Sequence, residues 1–199
     1  IYARMLSQAG YSALPAGQIN RNFSKAWKLQ PTFTHSKPEW RAVVQASLGA
    51  DFPLTDSLFE QIYAEFTSPA CWRVATGAKE VLEWARRQGL RLALVSNWDE
   101  RLRPLLGHLG ISGWFDHIVV SREVGYTKPD SRIFHLACSL LQVPPRGVIH
   151  VGDGLREDVE GALAAGLKAW HLRTSRPEAG LGGDWEAFGE WMRSRIGVA

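Results

Sequence analysis

Three short stretches of this sequence hold side chains suited to chemistry on an anionic substrate. They are Ser96-Asn97, Lys128 within Tyr126-Thr127-Lys128-Pro129-Asp130, and Gly152-Asp153 followed by Asp158. A hydroxyl with nearby N–H groups can grip phosphate oxygens, an ammonium offsets their charge, and carboxylates hold a hard divalent cation. Each stretch also has a plainer explanation. Ser-Asn after an apolar run commonly forms a turn. Lys128 could be a solvated lysine ahead of a helix cap at Asp130. Asp153 and Asp158 flank a glycine turn into a helix, where acids complement the positive end of the helix dipole. Their order favours function, because each follows an apolar run: Leu90 to Val95, His117 to Val120 and Val148 to Val151. In an open parallel sheet, ligands bind beyond the carboxyl ends of the strands. The three stretches would then converge on one rim, a set suited to a small phosphorylated substrate.

The elements that must carry this rim are legible from periodicity. Residues 1 to about 72 read as four helices and no strand, with apolar stripes at helical spacing. These are Tyr2, Met5, Leu6 and Ala9; Ile19, Phe23, Ala26 and Trp27; Trp40, Val43, Val44 and Leu48; and Leu58, Ile62, Tyr63 and Phe66. From residue 73 to 199, strand and helix alternate. Thr76 is expected to cap a helix stopped by Gly89, and Leu90 to Val95 to form the first strand. A helix with Leu102, Leu105, Leu106 and Leu109 follows, with Pro104 confined to its first turn. His117 to Val120 is a second strand, and Asp130 caps a helix carrying Ile133, Phe134, Ala137, Leu140 and Leu141. Val148 to Val151 and Leu167 to Leu172 are two further strands; a helix marked by Val159, Ala162 and Leu163 lies between them. The Gly-rich stretch 180–183 reads as a surface loop, and a last amphipathic helix covers about 184 to 195. Nearly continuous apolar strands alternating with helices predict a parallel sheet buried on both faces. The expected fold is α/β, a Rossmann-like doubly wound parallel sheet with an all-helical cap.

Composition narrows the classes. The chain has 199 residues, 45% apolar and 22% charged, with a net charge of +3 and no basic block. Neither nucleic acid nor an anionic membrane surface is indicated as a partner. No apolar run approaches the length of a membrane span. Cys71 and Cys138 lie far apart in apolar surroundings and make neither a disulfide framework nor a zinc site. A reducing, cytoplasmic location is the expectation. No Gly-x-Gly-x-x-Gly follows any strand, which argues against a dinucleotide enzyme.

Together the motifs resemble those of the haloacid dehalogenase superfamily, in the subgroup whose helical cap is inserted after the first strand. Val95-Ser96-Asn97 is similar to its second motif, Lys128-Pro129-Asp130 to its third, and Gly152-Asp153 with Asp158 to its fourth. The resemblance implies a Mg²⁺-dependent phosphatase working through an aspartyl-phosphate. Ser96, Asn97 and Lys128 would bind phosphate, Lys128 would act in catalysis, and Asp153 and Asp158 would hold the metal. The family's first motif, Asp-x-Asp at the end of a central strand, does not occur here. Asp51 and Asp56 lie among the first four helices, and residue 1 is Ile rather than Met. The expectation is a truncated, inactive chain lacking its nucleophile and the strand between 90–95 and 148–151. A non-catalytic scaffold and a carbon–halogen hydrolase are the alternatives. Trp98, Trp27, Trp40 and Tyr63 either line a substrate pocket or pack as helix core.

Overall fold

A computed structural model describes residues 1–11, 14–30, 33–173 and 182–196. The first part is helical: α1 (Tyr2–Gln8), α2 (Ala16–Lys28), α3 (Lys37–Leu48) and α4 (Asp56–Glu65). Local chemistry sets two of the starts. Ser36 and Glu39 form a reciprocal capping box at α3, and the Thr55 hydroxyl accepts the Leu58 N–H at 3.2 Å to begin α4. Such caps satisfy N–H groups that have no partner inside the helix. The inward stripes meet in a core containing Leu6, Ile19, Val44, Leu48, Leu58 and Ile62, with a smaller cluster of Ala26, Phe33 and Val43 beside it. Trp27 departs from its stripe and remains 40% exposed.

The second part alternates as expected. Its elements are α5 (Ala78–Arg87), β1 (Ala93–Ser96), α6 (Leu102–His108), β2 (His117–Val120), α7 (Ser121–Val124) and α8 (Ser131–Leu141). Then come β3 (Ile149–Gly152), a π-helical turn (Leu155–Glu160), α9 (Gly161–Ala164), β4 (Lys168–Leu172), β5 (Gly182–Gly183) and α10 (Trp185–Arg195). All pairings among the described residues are parallel. Ala93 to Ser96 register with His117 to Val120, Ile149 to Gly152 with Lys168 to His171, and His171 and Leu172 with Gly182 and Gly183.

Several boundaries differ from the sequence reading, each for a physical reason. β1 starts at Ala93 rather than Leu90, because the Leu92 N–H is taken by the Asp116 carboxylate at 2.7 Å before the ladder begins. Thr76 does not cap α5. That position falls to Gly77, whose φ of +80° suits glycine and whose added Cβ would come within 3.2 Å of Trp185. Gly182 and Gly183 are not a surface loop but a buried edge strand. A Cβ on Gly182 would stand 2.9 Å from the His171 carbonyl, so glycine permits that close pairing; Gly180 and Leu181 lie outside the described residues. α7 follows β2 directly, an element that the periodicity did not place. Pro104 sits in the first turn of α6, as its missing N–H requires.

The strands form two separate sheets, β1-β2 and β3-β4-β5. Among the described residues, β1 and β3 each pair on one side only, and both line a cavity of about 880 Å³ walled by apolar side chains including Leu94, Phe134, Val151 and Phe188.

Candidate active site

The carboxyl ends of β1, β2 and β3 bring the three sequence stretches together. Asn97, just past β1, grips the main chain of Lys128 from both sides. Its Nδ2 donates to the Lys128 carbonyl at 2.9 Å, and its Oδ1 accepts the Lys128 N–H at 2.7 Å. This fastens the segment after α7 onto the end of β1 and aims the lysine side chain across it. Lys128 Nζ donates to the Val95 carbonyl at 3.1 Å and reaches Asp158 Oδ1 at 2.5 Å. Ser96, the last residue of β1, is half-buried, and its hydroxyl has no hydrogen-bond partner among the described residues.

Asp158 is 5% exposed, and donors surround it. Besides Lys128, its Oδ1 receives His150 Nε2 at 2.8 Å, and its Oδ2 accepts the Gly154 N–H at 2.9 Å. Burial alone would raise its pKa. Hydrogen bonding from His150 and the Lys128 ammonium, with the Gly154 amide, holds the carboxyl well below the usual carboxylate range. The π-helical turn after Gly154 carries the side chain inward, as π turns often do at functional sites. Gly152 makes room for it, and Gly161 for the neighbouring Pro129. A Cβ on Gly152 would stand 2.3 Å from the Asp158 Cγ, and one on Gly161 would press on Pro129 at 2.9 Å.

Asp153 behaves differently. It is exposed, and its carboxylate has no hydrogen bond or ion pair to any described residue; its main-chain carbonyl accepts from His171 Nε2 at 3.0 Å. Among the described residues, no group of three or more His, Cys, Asp or Glu side chains is gathered to hold a metal ion. Mg²⁺ does not need one, because it is commonly held by one or two carboxylates, water and substrate phosphate. An accessible Asp153 in front of an engaged Asp158 fits that donor set.

Sequence reasoning missed His150, Ser121 and the Asp99–Arg101 pair. The strand period of two puts His150 on the same face as Gly152, where Asp158 packs, so that signal was available. Ser121, 1% exposed, both accepts from the Trp98 N–H and donates to the Trp98 carbonyl at 3.0 Å, tying β2 to the segment after β1. Asp99 is fully buried, with Arg101 bound to both its oxygens at 2.8 and 2.6 Å. Trp40 Nε1 donates to Asp99 at 2.8 Å, and Arg101 donates to the Tyr63 carbonyl at 2.9 Å, so this pair joins the N-terminal helices to the rim. Trp27, Trp40, Tyr63 and Trp98 line one cavity of about 290 Å³ at that junction, beside Asn97. Asp51 and Asp56 are exposed on the helical layer, where Asp56 pairs with Arg41 at 3.0 Å.

A family model described as haloacid dehalogenase-like hydrolase matches residues 9–166. The chain belongs to the haloacid dehalogenase-like hydrolase family. Haloacid dehalogenase-like hydrolase domain-containing protein 3 of Bos taurus is 42% identical over 118 residues, covering 59% of this chain and 47% of that protein. The phosphoserine phosphatase of Thermus thermophilus is 41% identical over 104 residues, covering 51% and 41%. The matched stretch thus spans about half the length of these curated relatives. A haloacid dehalogenase family phosphatase from Thermococcus onnurineus superposes with a TM-score of 0.69 at 22% identity, over 99% of this chain and 86% of that one. That likeness shows a shared fold. Within this family member, direct hydrogen bonds interlock the rim residues Asn97, Lys128 and Asp158.

Proposed function

We propose that residues 1–72 form the cap, and 73–199 most of the core, of a Mg²⁺-dependent phosphatase for small phosphate monoesters. Lys128 carries this reading. Its ammonium is held at a strand end between the Val95 carbonyl and Asp158, on the rim that also carries the uncommitted Ser96 hydroxyl and the accessible Asp153. Phosphatases among the relatives support it. Ser96 and the Asn97 segment would take phosphoryl oxygens, while Lys128 would offset charge on nucleophile and phosphate together. Asp153 would hold Mg²⁺ with Asp158 behind it, and the bound ion would neutralise charge on the phosphoryl oxygens.

The chemistry also needs a nucleophilic carboxylate, and we assign it to a further strand between β1 and β3. The cavity there, walled by apolar side chains and flanked by strands paired on one side only, supports that assignment. The first aspartate at the end of that strand would attack phosphorus to form an aspartyl-phosphate, while the second, protonated, aspartate of Asp-x-Asp gives its proton to the leaving ester oxygen and regains one from the water that attacks next. Water would then release phosphate and restore the carboxylate. The chain as given is expected to be inert toward aryl phosphates with Mg²⁺. The test is to supply an apolar strand ending in Asp-x-Asp, which should raise the urea midpoint and create Mg²⁺-dependent phosphate release together. Replacing its first Asp by Asn should keep the fold and abolish turnover. A well-folded, strand-complete protein inert toward a broad panel of phosphate esters would favour a non-catalytic scaffold. In the active form, Asp153→Asn should weaken the Mg²⁺ dependence; normal turnover at limiting Mg²⁺ would remove Asp153 from the metal site.

A further inference from the structure

We propose that the cavity between the N-terminal helices and the rim recognises an uncharged aromatic ring, which would be the leaving group of the phosphate ester. The statement about the leaving group rests on the phosphatase reading above; the statement about the ring does not.

The wall of this cavity is built largely from rings. Trp27, Trp40, Tyr63, Phe66, Trp72 and Trp98 line it, with Trp27 and Trp40 centred 5.8 Å apart and Trp72 and Trp98 4.9 Å apart. Trp98 follows Asn97 directly, and Ser121 clamps its main chain, so the indole stands at a fixed place beside the phosphate-binding rim. An apolar cavity of about 150 Å³ takes benzene. The 290 Å³ here has room for a one- or two-ring group. Trp27, 40% exposed, forms its outer edge.

Charge selects among occupants. Arg101 is the charged side chain on the wall, and its guanidinium is already committed. It is bound to both Asp99 oxygens and to the Tyr63 carbonyl, and lies 3.4 Å from the centre of the Tyr63 ring. No uncommitted charge among the described wall residues could pair with the carboxylate or ammonium of an amino-acid or hydroxy-acid ester. Burying such a group there unpaired costs several kcal/mol.

Two polar atoms lie behind this wall. Trp98 Nε1 and His35 Nδ1 are buried and lack a hydrogen-bond partner, although both residues line this one cavity. Buried polar atoms in native structures are nearly always paired. His35 is 4% exposed, and its backbone sits at φ +61°, unusual for a residue with a side chain. That conformation packs its ring 4.8 Å from Phe33 and 5.9 Å from Trp40. Burial lowers its pKa to about 4, so at neutral pH the imidazole carries no charge. Neither nitrogen presents surface to the cavity, so the wall offers a ligand ring faces and apolar edges rather than hydrogen bonds.

The test is titration of the intact protein with four probes, read by tryptophan fluorescence and calorimetry. The probes are phenol, phenyl phosphate, O-phosphoserine and inorganic phosphate. Phenol should bind saturably, and phenyl phosphate more tightly than phenol or O-phosphoserine. Trp27→Ala, at the exposed edge, should weaken phenol at least tenfold and leave inorganic phosphate unchanged. Val44→Phe, which fills the cavity without removing a ring, should do the same; circular dichroism checks the fold of both. Saturable phenol binding with no response to any phosphate would support the pocket and remove the phosphatase reading. Phosphate binding without phenol binding would overturn the pocket and leave that reading standing. O-phosphoserine binding more tightly than phenyl phosphate would also overturn it.

Discussion

Removing the Lys128 ammonium has two consequences. In the strand-complete form, Lys128→Ala takes a positive charge from the proposed phosphate site, and it leaves the Asp158 carboxylate, 5% exposed, without its cation. Breaking a buried pair from one side costs about 3–5 kcal/mol. The loss of turnover should therefore be accompanied by a clear fall in the urea midpoint. A purely solvated lysine would show neither. Lys128→Arg should restore turnover poorly, because the planar fork cannot occupy the compact position between Val95 and Asp158. Replacing His150 by Ala should act through Asp158 and through its lost edge-on contact with Phe134, lowering stability and activity less than Lys128→Ala does. pH provides a second measurement at this scale. The His35 imidazole titrates near 4 when folded and near 6.5 when unfolded, so between those values the unfolded chain binds the extra proton. Stability should fall as pH drops from about 6.5 to 4, by at most about 3 kcal/mol. His35→Phe should flatten that slope in urea midpoints taken across the window. Asp158, with its lowered pKa, adds stability that is complete above about pH 4 and is lost only as pH falls below that.

At the scale of elements, the turn after β3 decides the site. Gly152 ends the strand, the π-helical turn follows, and the Asp158 carboxylate comes to rest against the glycine where a Cβ would stand. Gly152→Ala should push Asp158 off both Lys128 and His150. The expected result is a loss of several kcal/mol together with collapse of activity, seen in the same denaturation and turnover assays. Gly161→Ala should be milder and should act through Pro129, displacing the Lys128 segment from the far side. A control at Gly113, where an added Cβ meets nothing within 4 Å, should change little. β5 makes a related point. Its two glycines read as loop because glycine is the commonest loop signal, yet here the missing side chain lets an edge strand close on His171.

Across the whole molecule, the buried Asp99–Arg101 pair joins the two layers. Asp99 belongs to the segment after β1, and it accepts from Trp40 on α3, while Arg101 reaches Tyr63 on α4. Asp99→Ala should destabilise the protein by about 3–5 kcal/mol, because a guanidinium 8% exposed is left unpaired. The double change Asp99→Leu with Arg101→Met should be distinctly less costly, since it removes both charges at once. Additive losses in urea unfolding would show that the two side chains act independently. The described residues contain no helix long and apolar enough to cross a membrane.

Much of the architecture was legible before any coordinates. Helical stripes over the first 65 residues, and short apolar runs ending at Ser96, Val120 and Gly152, reflect burial on one helix face or on both sheet faces. Those periodicities survive in the sequence itself. The same runs placed Asn97, Lys128 and Asp153 at strand ends, hence on one rim. Tertiary structure alone decided what stands opposite each side chain. Spacing showed Asp158 five residues after Asp153, yet its partners Lys128 and His150 come from other elements, and they make it a held anion while Asp153 stays accessible. Trp27, Trp40, Tyr63 and Trp98 have the spacing of core residues, and spacing is identical whether the facing side chains touch or leave a cavity. Their outcome depended on how two layers meet around Asp99 and Arg101. Periodicity records the direction in which a side chain points; charge pairing, cavity and site arise from whatever the rest of the chain brings to that place.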